Sequence, residues 1–161
     1  MRFEPKTPEQ LAEERLSRLL PEGWLPTFVI SAKDDISKKG NDMWVIDNQF
    51  IHPHTSAIIN VRDYVTNNMH EKIFGIAEAF GLKDKYQSGN IEASDLEEKR
   101  AYAFIKIRPA QNGYGPSNMI GDYISEARYK EMMKNDENGS ANHQPKSSTQ
   151  GVKLDDDIPF F

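Results

Sequence analysis

The chain has 161 residues, of which 37% are hydrophobic and 28% charged, and this composition favours one soluble domain with polar appendages over two full domains. It contains no cysteine, which excludes disulfides, thiolate zinc sites, iron–sulfur clusters and cysteine nucleophiles. The net charge is −5, and the residues after 134 contribute two lysines against five carboxylates. A nucleic-acid-binding role would therefore depend on a local basic patch rather than on bulk charge.

The sequence contains no feature that indicates a membrane protein. It has no apolar run near the roughly 18 residues of a membrane-spanning helix. The first six residues contain no apolar segment of the signal-peptide kind. We therefore expect a cytoplasmic protein that does not associate with membranes.

An N-terminal helix is the clearest local prediction. Thr7 can cap it, Pro8 suits the first helical position, and Gln10 completes a capping-box pattern. Its leucines lie roughly on one face, which we expect to pack on the domain, with a partner-binding helix as the alternative. We assign residues 1–22 to this helical extension, because Pro21 and Gly23 end the helix. The leucines are Leu11, Leu16, Leu19 and Leu20.

The following hundred residues favour strands interrupted by one main helix. Short β-branched runs separated by turn residues predict strands, and an apolar stripe at helical spacing predicts the helix, with Gly81 near its C-terminal end. A last short helix is predicted after the final strand. In chain order the predicted segments are strands at 27–32, 43–51 and 57–65, a helix at 70–86, a helical turn at 94–99, strands at 101–108 and 118–124, and a helix at 129–134.

The C-terminal end has a different composition. Residues 135–153 are rich in Asn, Ser, Gln, Gly and Lys and cannot offset their ordering entropy by burial, so we predict a flexible linker. Residues 154–161 then combine three carboxylates with an apolar terminus. An apolar anchor beside fixed negative charge suits a hydrophobic pocket rimmed with Lys or Arg. We predict a protein-interaction tip formed by Asp155, Asp156, Asp157, Ile158, Pro159, Phe160 and Phe161.

This tip resembles the C-terminal peptide of bacterial single-stranded DNA-binding proteins. That peptide ends Asp-Asp-Asp-Ile-Pro-Phe, and residues 155–160 match it one by one. Phe161 is an extra residue here. Because the family's last Phe is read together with its own α-carboxylate, either Phe161 takes that role or the register shifts by one.

The body, over about residues 23–125, resembles a family of bacteriophage single-stranded DNA-binding proteins with an OB-fold. The order and spacing of several short motifs carry the resemblance, although residues 98–101 depart from the family's usual glycine-containing strand start. The resemblance implies an all-β domain with accessory helices. It also implies a five-stranded OB-fold barrel, assigned to residues 23–134, with a helix between strands 3 and 4; the composition of the chain beyond it predicts a disordered C-terminal tail. The motifs are residues 36–43, Asp63-Tyr64, residues 77–82 with Lys85-Tyr86, Gly89, and residues 118–123.

One predicted strand alternates aromatic and basic residues. Tyr102, Phe104, Lys106 and Arg108 share one face, while Ala101, Ala103, Ile105 and Ile107 share the other. Nonspecific single-strand binders stack bases on aromatic rings and follow phosphates with cations. We therefore expect the first set to bind single-stranded DNA. The alternative is that the rings lie in the core and the alanines outside.

Further candidates lie on the first three strands and in the loop after the fourth. Trp44 and Phe50 share parity and either stack on bases or fill the core. Lys33, Lys38 and Lys39 surround the first hairpin and either contact phosphates or are simply solvated. Arg62 extends the same patch, and Tyr114 either stacks on a base or caps the barrel.

Enzyme chemistry is less well supported. His52 and His54 flank Pro53, but without a clear third ligand a turn is favoured over a metal pair. There is no phosphate-binding Gly-Lys-Ser/Thr loop and no nucleophile elbow. We expect no enzymatic activity, no cofactor and no metal.

These patterns together predict a sequence-nonspecific single-stranded DNA-binding protein. It would act in phage DNA replication, recombination and repair in the host-cell cytoplasm, and would recruit host or phage proteins through its tip. The alternatives are an OB-fold adaptor that binds protein and a recombination protein that anneals single strands. The exposed edges of a small barrel and the leucine face at residues 11–20 permit a homodimer.

Overall fold

The computed structural model describes residues 1–137, so the predicted tip and nearly all of the predicted linker lie outside the described residues. Five strands and four helices make up this part of the chain. The strands are β1 (Gly23–Ile36), β2 (Asp42–Ile51), β3 (Ile58–Thr66), β4 (Arg100–Arg108) and β5 (Ser117–Ile124); the helices are α1 (Pro8–Arg18), α2 (His70–Ala79), α3 (Lys83–Gln87) and α4 (Glu126–Glu137), with a 3-10 turn over Ala93–Leu96.

The strands form one antiparallel sheet in the order β3-β2-β1-β4-β5. This confirms the expected all-β domain with accessory helices and a helix after the third strand. The expected five-stranded barrel is not closed, because the sheet leaves β3 and β5 as its two edges, with no backbone ladder between them. Any link between the two edges must therefore come from side chains.

Side chains do connect the two edges. The Tyr123 hydroxyl on β5 donates to Oδ2 of Asp63 on β3 at 2.8 Å. Nζ of Lys72 on α2 donates to Oδ1 of the same carboxylate at 2.8 Å and to the carbonyl of Ile120 on β5 at 2.9 Å. All three side chains are buried. A buried polar network thus takes the place that backbone hydrogen bonds would occupy in a closed barrel.

The core lies between one face of the sheet and α2. Ile76 and Ala77 of α2 are buried with alternate residues of the strands, including Val29 and Ile46. The helix approaches β5 closely at Gly75, where an added Cβ would lie 2.7 Å from Oδ1 of Asp122. A side chain at position 75 would therefore force the Asp122 carboxylate, which accepts from the Tyr123 N–H, to move.

The helix predicted at 70–86 is two short helices. Gly81 adopts a φ of +72°, which L residues with a side chain rarely adopt, and the chain changes direction there between α2 and α3. The predicted first strand is also longer than expected: β1 begins at Gly23 and contains a bulge between Val29 and Ser31. The last helix is longer too, since α4 continues through residues 135–137 of the predicted linker.

The N-terminal helix is capped as predicted but does not pack as predicted. Oγ1 of Thr7 accepts from the Gln10 backbone, and Oε1 of Gln10 accepts from the Thr7 backbone, which forms the capping box. No residue of α1 is buried, and Leu11 and Leu16 are 47% and 54% exposed. The expected packing of its leucine face is therefore wrong for Leu11 and Leu16 but holds just after the helix, where Leu20 is fully buried and Leu19 half-buried. Within residues 1–137, no helix combines the length and apolar character needed to cross a membrane.

Candidate nucleic-acid interface

The face of the sheet opposite α2, here called the outer face, carries the alternation predicted for β4. Ala101, Ala103 and Ile105 are buried in the core, while Phe104 and its neighbours of the same parity are half-buried on the outer face. The predicted orientation of this strand is confirmed, and a DNA-binding role for its side chains stays a prediction. The outer-face residues of β4 are Arg100, Tyr102, Phe104, Lys106 and Arg108.

Two aromatic residues of β1 lie beside this row and were missed in the sequence. Trp24 pairs with Phe104 across the strands, and their ring centroids are 5.2 Å apart in an edge-to-face arrangement. The guanidinium carbon of Arg100 lies 4.9 Å from the centre of the Phe28 ring. The same alternation, followed backwards from buried Val29 through Thr27, would have placed both rings outside. The strand was predicted to start only at residue 27.

The cations at the end of β4 are partly withdrawn from water. Burial lowers the pKa of Lys106 below the ordinary lysine value, and the nearby Lys72 acts in the same direction, while Glu22 and Asp122 oppose it. Burial also lowers the pKa of Arg108. Charges in partly desolvated positions attract an anion more strongly than fully solvated charges do. Both charges therefore lie in partly desolvated positions at the end of the row, and their contact with phosphate groups stays a prediction.

A second basic region lies near the β1–β2 hairpin. A shallow cavity of about 250 Å³ is lined by Lys33, Lys38, Arg62 and Tyr64 among others. Lys33 and Lys38 are exposed, and Lys39 is exposed in the same turn. Arg62 is held in place by Asp47, with Nε–Oδ1 and Nη2–Oδ2 distances of 2.8 and 3.3 Å. This hydrogen bonding lowers the pKa of Asp47 and raises that of Arg62.

Tyr102 is covered by the last helix. Its ring stacks on that of Tyr129 of α4, with centroids 3.8 Å apart and planes within 8°. Burial raises the pKa of the Tyr102 hydroxyl, and Tyr129 adds to the effect. The predicted stacking of a base on Tyr102 would therefore require Tyr129 to leave the face that it covers.

Of the two alternatives for Trp44 and Phe50, Phe50 fills the core, whereas Trp44 is half-buried and its stacking role stays a prediction. They share a face of β2, as their parity predicts, but it is the face that contains buried Ile46 and Asn48. Phe50 is 1% exposed in the core. Trp44 packs against the core and lines a groove with Ile73 and Tyr86, on the side of the sheet away from the outer face.

Tyr114 lies at the end of the loop between β4 and β5 and is 62% exposed. The loop is a small hairpin in which Gln111 and Tyr114 form a bridge around Asn112-Gly113, both with positive φ. Asn-Gly is the sequence typical of such a two-residue turn. The ring is accessible to a ligand, and its predicted stacking role stays a prediction.

His52 has a structural role in a turn. Its Nδ1 accepts from the backbone N–H groups of His54 and Thr55 at 3.1 and 3.3 Å, so Nε2 carries the proton and donates to the Leu19 carbonyl at 3.0 Å. Both ring nitrogens are thereby used. No group of three or more His, Cys, Asp or Glu side chains among residues 1–137 is arranged to hold a metal ion.

The outer face thus brings together four rings with a free or half-covered surface and a row of cations that ends at Arg108. Acidic groups lie close to it: Asp47 holds Arg62, Glu22 accepts from the Ile107 N–H, and both Glu22 and Asp122 act on Lys106. Comparison with known proteins adds no relative to this description: no protein-family model matches the chain, and no curated protein matches its sequence.

Proposed function

We propose that the chain is a sequence-nonspecific single-stranded DNA-binding protein and that the outer face is where it binds. The observation that carries the proposal is the row along β4 and β1, where Trp24, Phe28 and Phe104 lie beside Arg100 and Lys106. Aromatic rings stack bases of any sequence, and cations along the same groove neutralise the backbone. The bases of a duplex are stacked on each other, so this surface would favour single strands.

The resemblance to phage OB-fold proteins supports the same proposal. The described strand order and the helix after β3 are compatible with the OB topology, and we regard the open sheet with its polar bridge as a variant of that fold. On this proposal the protein protects single strands exposed during replication, recombination and repair. Its acidic tip, which lies outside the described residues, would recruit replication or repair proteins.

The two tryptophans of the chain provide the test, because they lie on opposite faces of the sheet. In Trp44→Phe, Trp24 is the only remaining tryptophan, and we expect its fluorescence to be quenched when oligo-dT binds. In Trp24→Phe, the fluorescence of the remaining Trp44 should change little when oligo-dT binds. A duplex oligonucleotide of the same length is the control ligand and should compete poorly.

Two results would contradict the proposal. One is the absence of any fluorescence or mobility change with long oligo-dT at low salt, which would favour an adaptor that binds only protein. The other is quenching confined to Trp44, which would place the DNA on the opposite face. An assay with complementary strands separates simple binding from annealing activity.

A further inference from the structure

Three arginines meet in a cleft beyond the end of β4. The cleft has a volume of about 500 Å³ and lies between the C-terminal end of α1 and the β4–β5 loop. Arg15 and Arg18 come from the helix, and Arg108 is the last residue of the strand. None of the described residues that line the cleft is acidic. Tyr114, Pro109 and Pro116 complete its walls.

The helix end is fixed relative to the sheet although α1 itself is exposed. The side chain of Asn118 on β5 accepts from the Leu20 N–H at 2.8 Å and donates to the Leu20 carbonyl at 2.9 Å. Leu20 is fully buried. Arg15 lies across the loop at Gly115, where an added Cβ would be 3.3 Å from its Nη1. The end of α1 and the β4–β5 loop are therefore held in fixed positions on either side of the cleft.

The helix arginines are available to an external anion. Within residues 1–137, neither Arg15 nor Arg18 has a carboxylate at ion-pair distance, and both are exposed. Three guanidinium groups around one cleft repel each other, and a bound anion relieves that repulsion. The cleft also continues the outer face, because Arg108 follows Lys106 on the same side of β4.

We propose that this cleft binds phosphate groups of the single strand as it leaves the outer face, so that α1 is part of the DNA-binding site rather than an appendage. The inference rests on the proposed function and adds a second region to it. Guanidinium groups donate two parallel hydrogen bonds to a phosphate, which suits them to the nucleic-acid backbone. From Phe104 to Arg108 the strand covers about 13 Å, so only an oligonucleotide of several nucleotides could contact both the outer face and the cleft.

The test is the salt dependence of oligo-dT binding by the full chain with Arg15→Ala and Arg18→Ala together. Losing two phosphate contacts should reduce the log–log salt slope by about 1.4, at about 0.7 for each contact, and weaken binding at low salt. The control variant, Lys83→Ala with Lys85→Ala, removes the same charge from α3, which lies beside α2 on the other side of the sheet. Its slope should equal that of the unmodified protein.

Length dependence provides a second readout. The arginine variant should bind an oligo-dT of about 16 nucleotides more weakly than the unmodified protein, and one of about 4 nucleotides equally well. An unchanged slope would overturn the inference, and so would an equal loss in the control variant. Tighter binding by the arginine variant would also overturn it and would instead indicate that the cleft holds the acidic tip. If the unmodified protein does not bind oligo-dT at all, the proposed function itself fails.

Discussion

The hydroxyl of Tyr123 on one edge strand lies 2.8 Å from Oδ2 of Asp63 on the other, and this hydrogen bond joins β5 to β3 across the open side of the sheet. The same hydroxyl accepts from Nδ2 of Asn48 at 3.0 Å, and Oδ1 of Asn48 accepts from Thr27 at 2.9 Å. Burial raises the pKa of Tyr123 well above its ordinary value, with Asp63 adding to the effect. The tyrosine therefore remains a hydrogen-bond donor throughout the physiological pH range.

Replacing Tyr123 with Phe should destabilise the fold by about 1–3 kcal/mol, because it leaves buried groups of Asp63 and Asn48 without a partner while the ring is kept. Urea unfolding measures this change. Tyr114→Phe, which removes an exposed hydroxyl from a ring that is 62% exposed, is the matched control and should change stability by less than about 0.5 kcal/mol. Equal stability of the Tyr123 variant and the unmodified protein would show that this hydroxyl does not contribute to holding the two edges together.

Phe104→Ala and Trp44→Ala should separate DNA binding from stability. Phe104 lies on the outer face, and its loss should weaken oligo-dT binding by about 1–3 kcal/mol if it stacks on a base. Trp44 packs against the core, so its loss should lower the free energy of unfolding and leave the affinity of the folded protein nearly unchanged. Anisotropy titration of labelled oligo-dT, which does not depend on tryptophan fluorescence, measures the affinities of both variants, and urea unfolding measures their stabilities. The reverse pattern would place the DNA over Trp44.

The orientation of β4 could be predicted because small apolar residues alternate with rings and cations along it. Four consecutive pairs leave little choice of which side faces the core. The capping box of α1 was equally local, since Thr7 and Gln10 contact only each other's backbone. Patterns of this kind depend on neighbours in the sequence, and for that reason they are visible without a structure.

The orientation of β2 could not be predicted in the same way. Both its faces carry large apolar residues, and Met43 and Val45 on the outer side are buried, as is Ile46 on the core side. Parity therefore grouped Trp44 with Phe50 correctly without showing which side they face. The polar bridge between Tyr123 and Asp63 spans 60 residues of sequence, and only the strand order brings them together.

Replacing Tyr129 with Ala should strengthen oligo-dT binding. The stacked Tyr102–Tyr129 pair has to separate before a base can stack on Tyr102, and such pairs contribute about 0.5–1.5 kcal/mol. Removing Tyr129 should therefore improve the free energy of binding by up to that amount, as measured by anisotropy titration. Tyr129→Phe keeps the stack and should bind like the unmodified protein. Weaker binding by the Ala variant would show that Tyr129 itself contacts DNA.

As the pH rises, the affinity for oligo-dT should begin to decrease at a lower pH than it would if the contact were made by an ordinary lysine. Burial lowers the pKa of Lys106, so this side chain loses its proton, and with it the attraction to phosphate, below the usual lysine value. Titrations from about pH 7 to about pH 10 should show the decrease, and Lys106→Arg, which stays charged, should bind with a flatter profile over that range. Identical profiles for the two proteins would exclude Lys106 from the phosphate contacts.

Removing residues 155–161 should leave the affinity for oligo-dT unchanged or increase it, and should abolish capture of replication and repair proteins from a host lysate. A segment with three consecutive carboxylates carries charges like those of a short phosphate run, so it competes with DNA for basic groups if it affects binding at all. A variant that combines Asp155→Asn, Asp156→Asn and Asp157→Asn keeps the apolar end and the length of the tip. If this variant captures partners as well as the unmodified protein does, the carboxylates are not part of the recognised surface. Weaker DNA binding by the truncated protein would contradict competition between the tip and DNA, because it would show that the tip contributes to DNA binding.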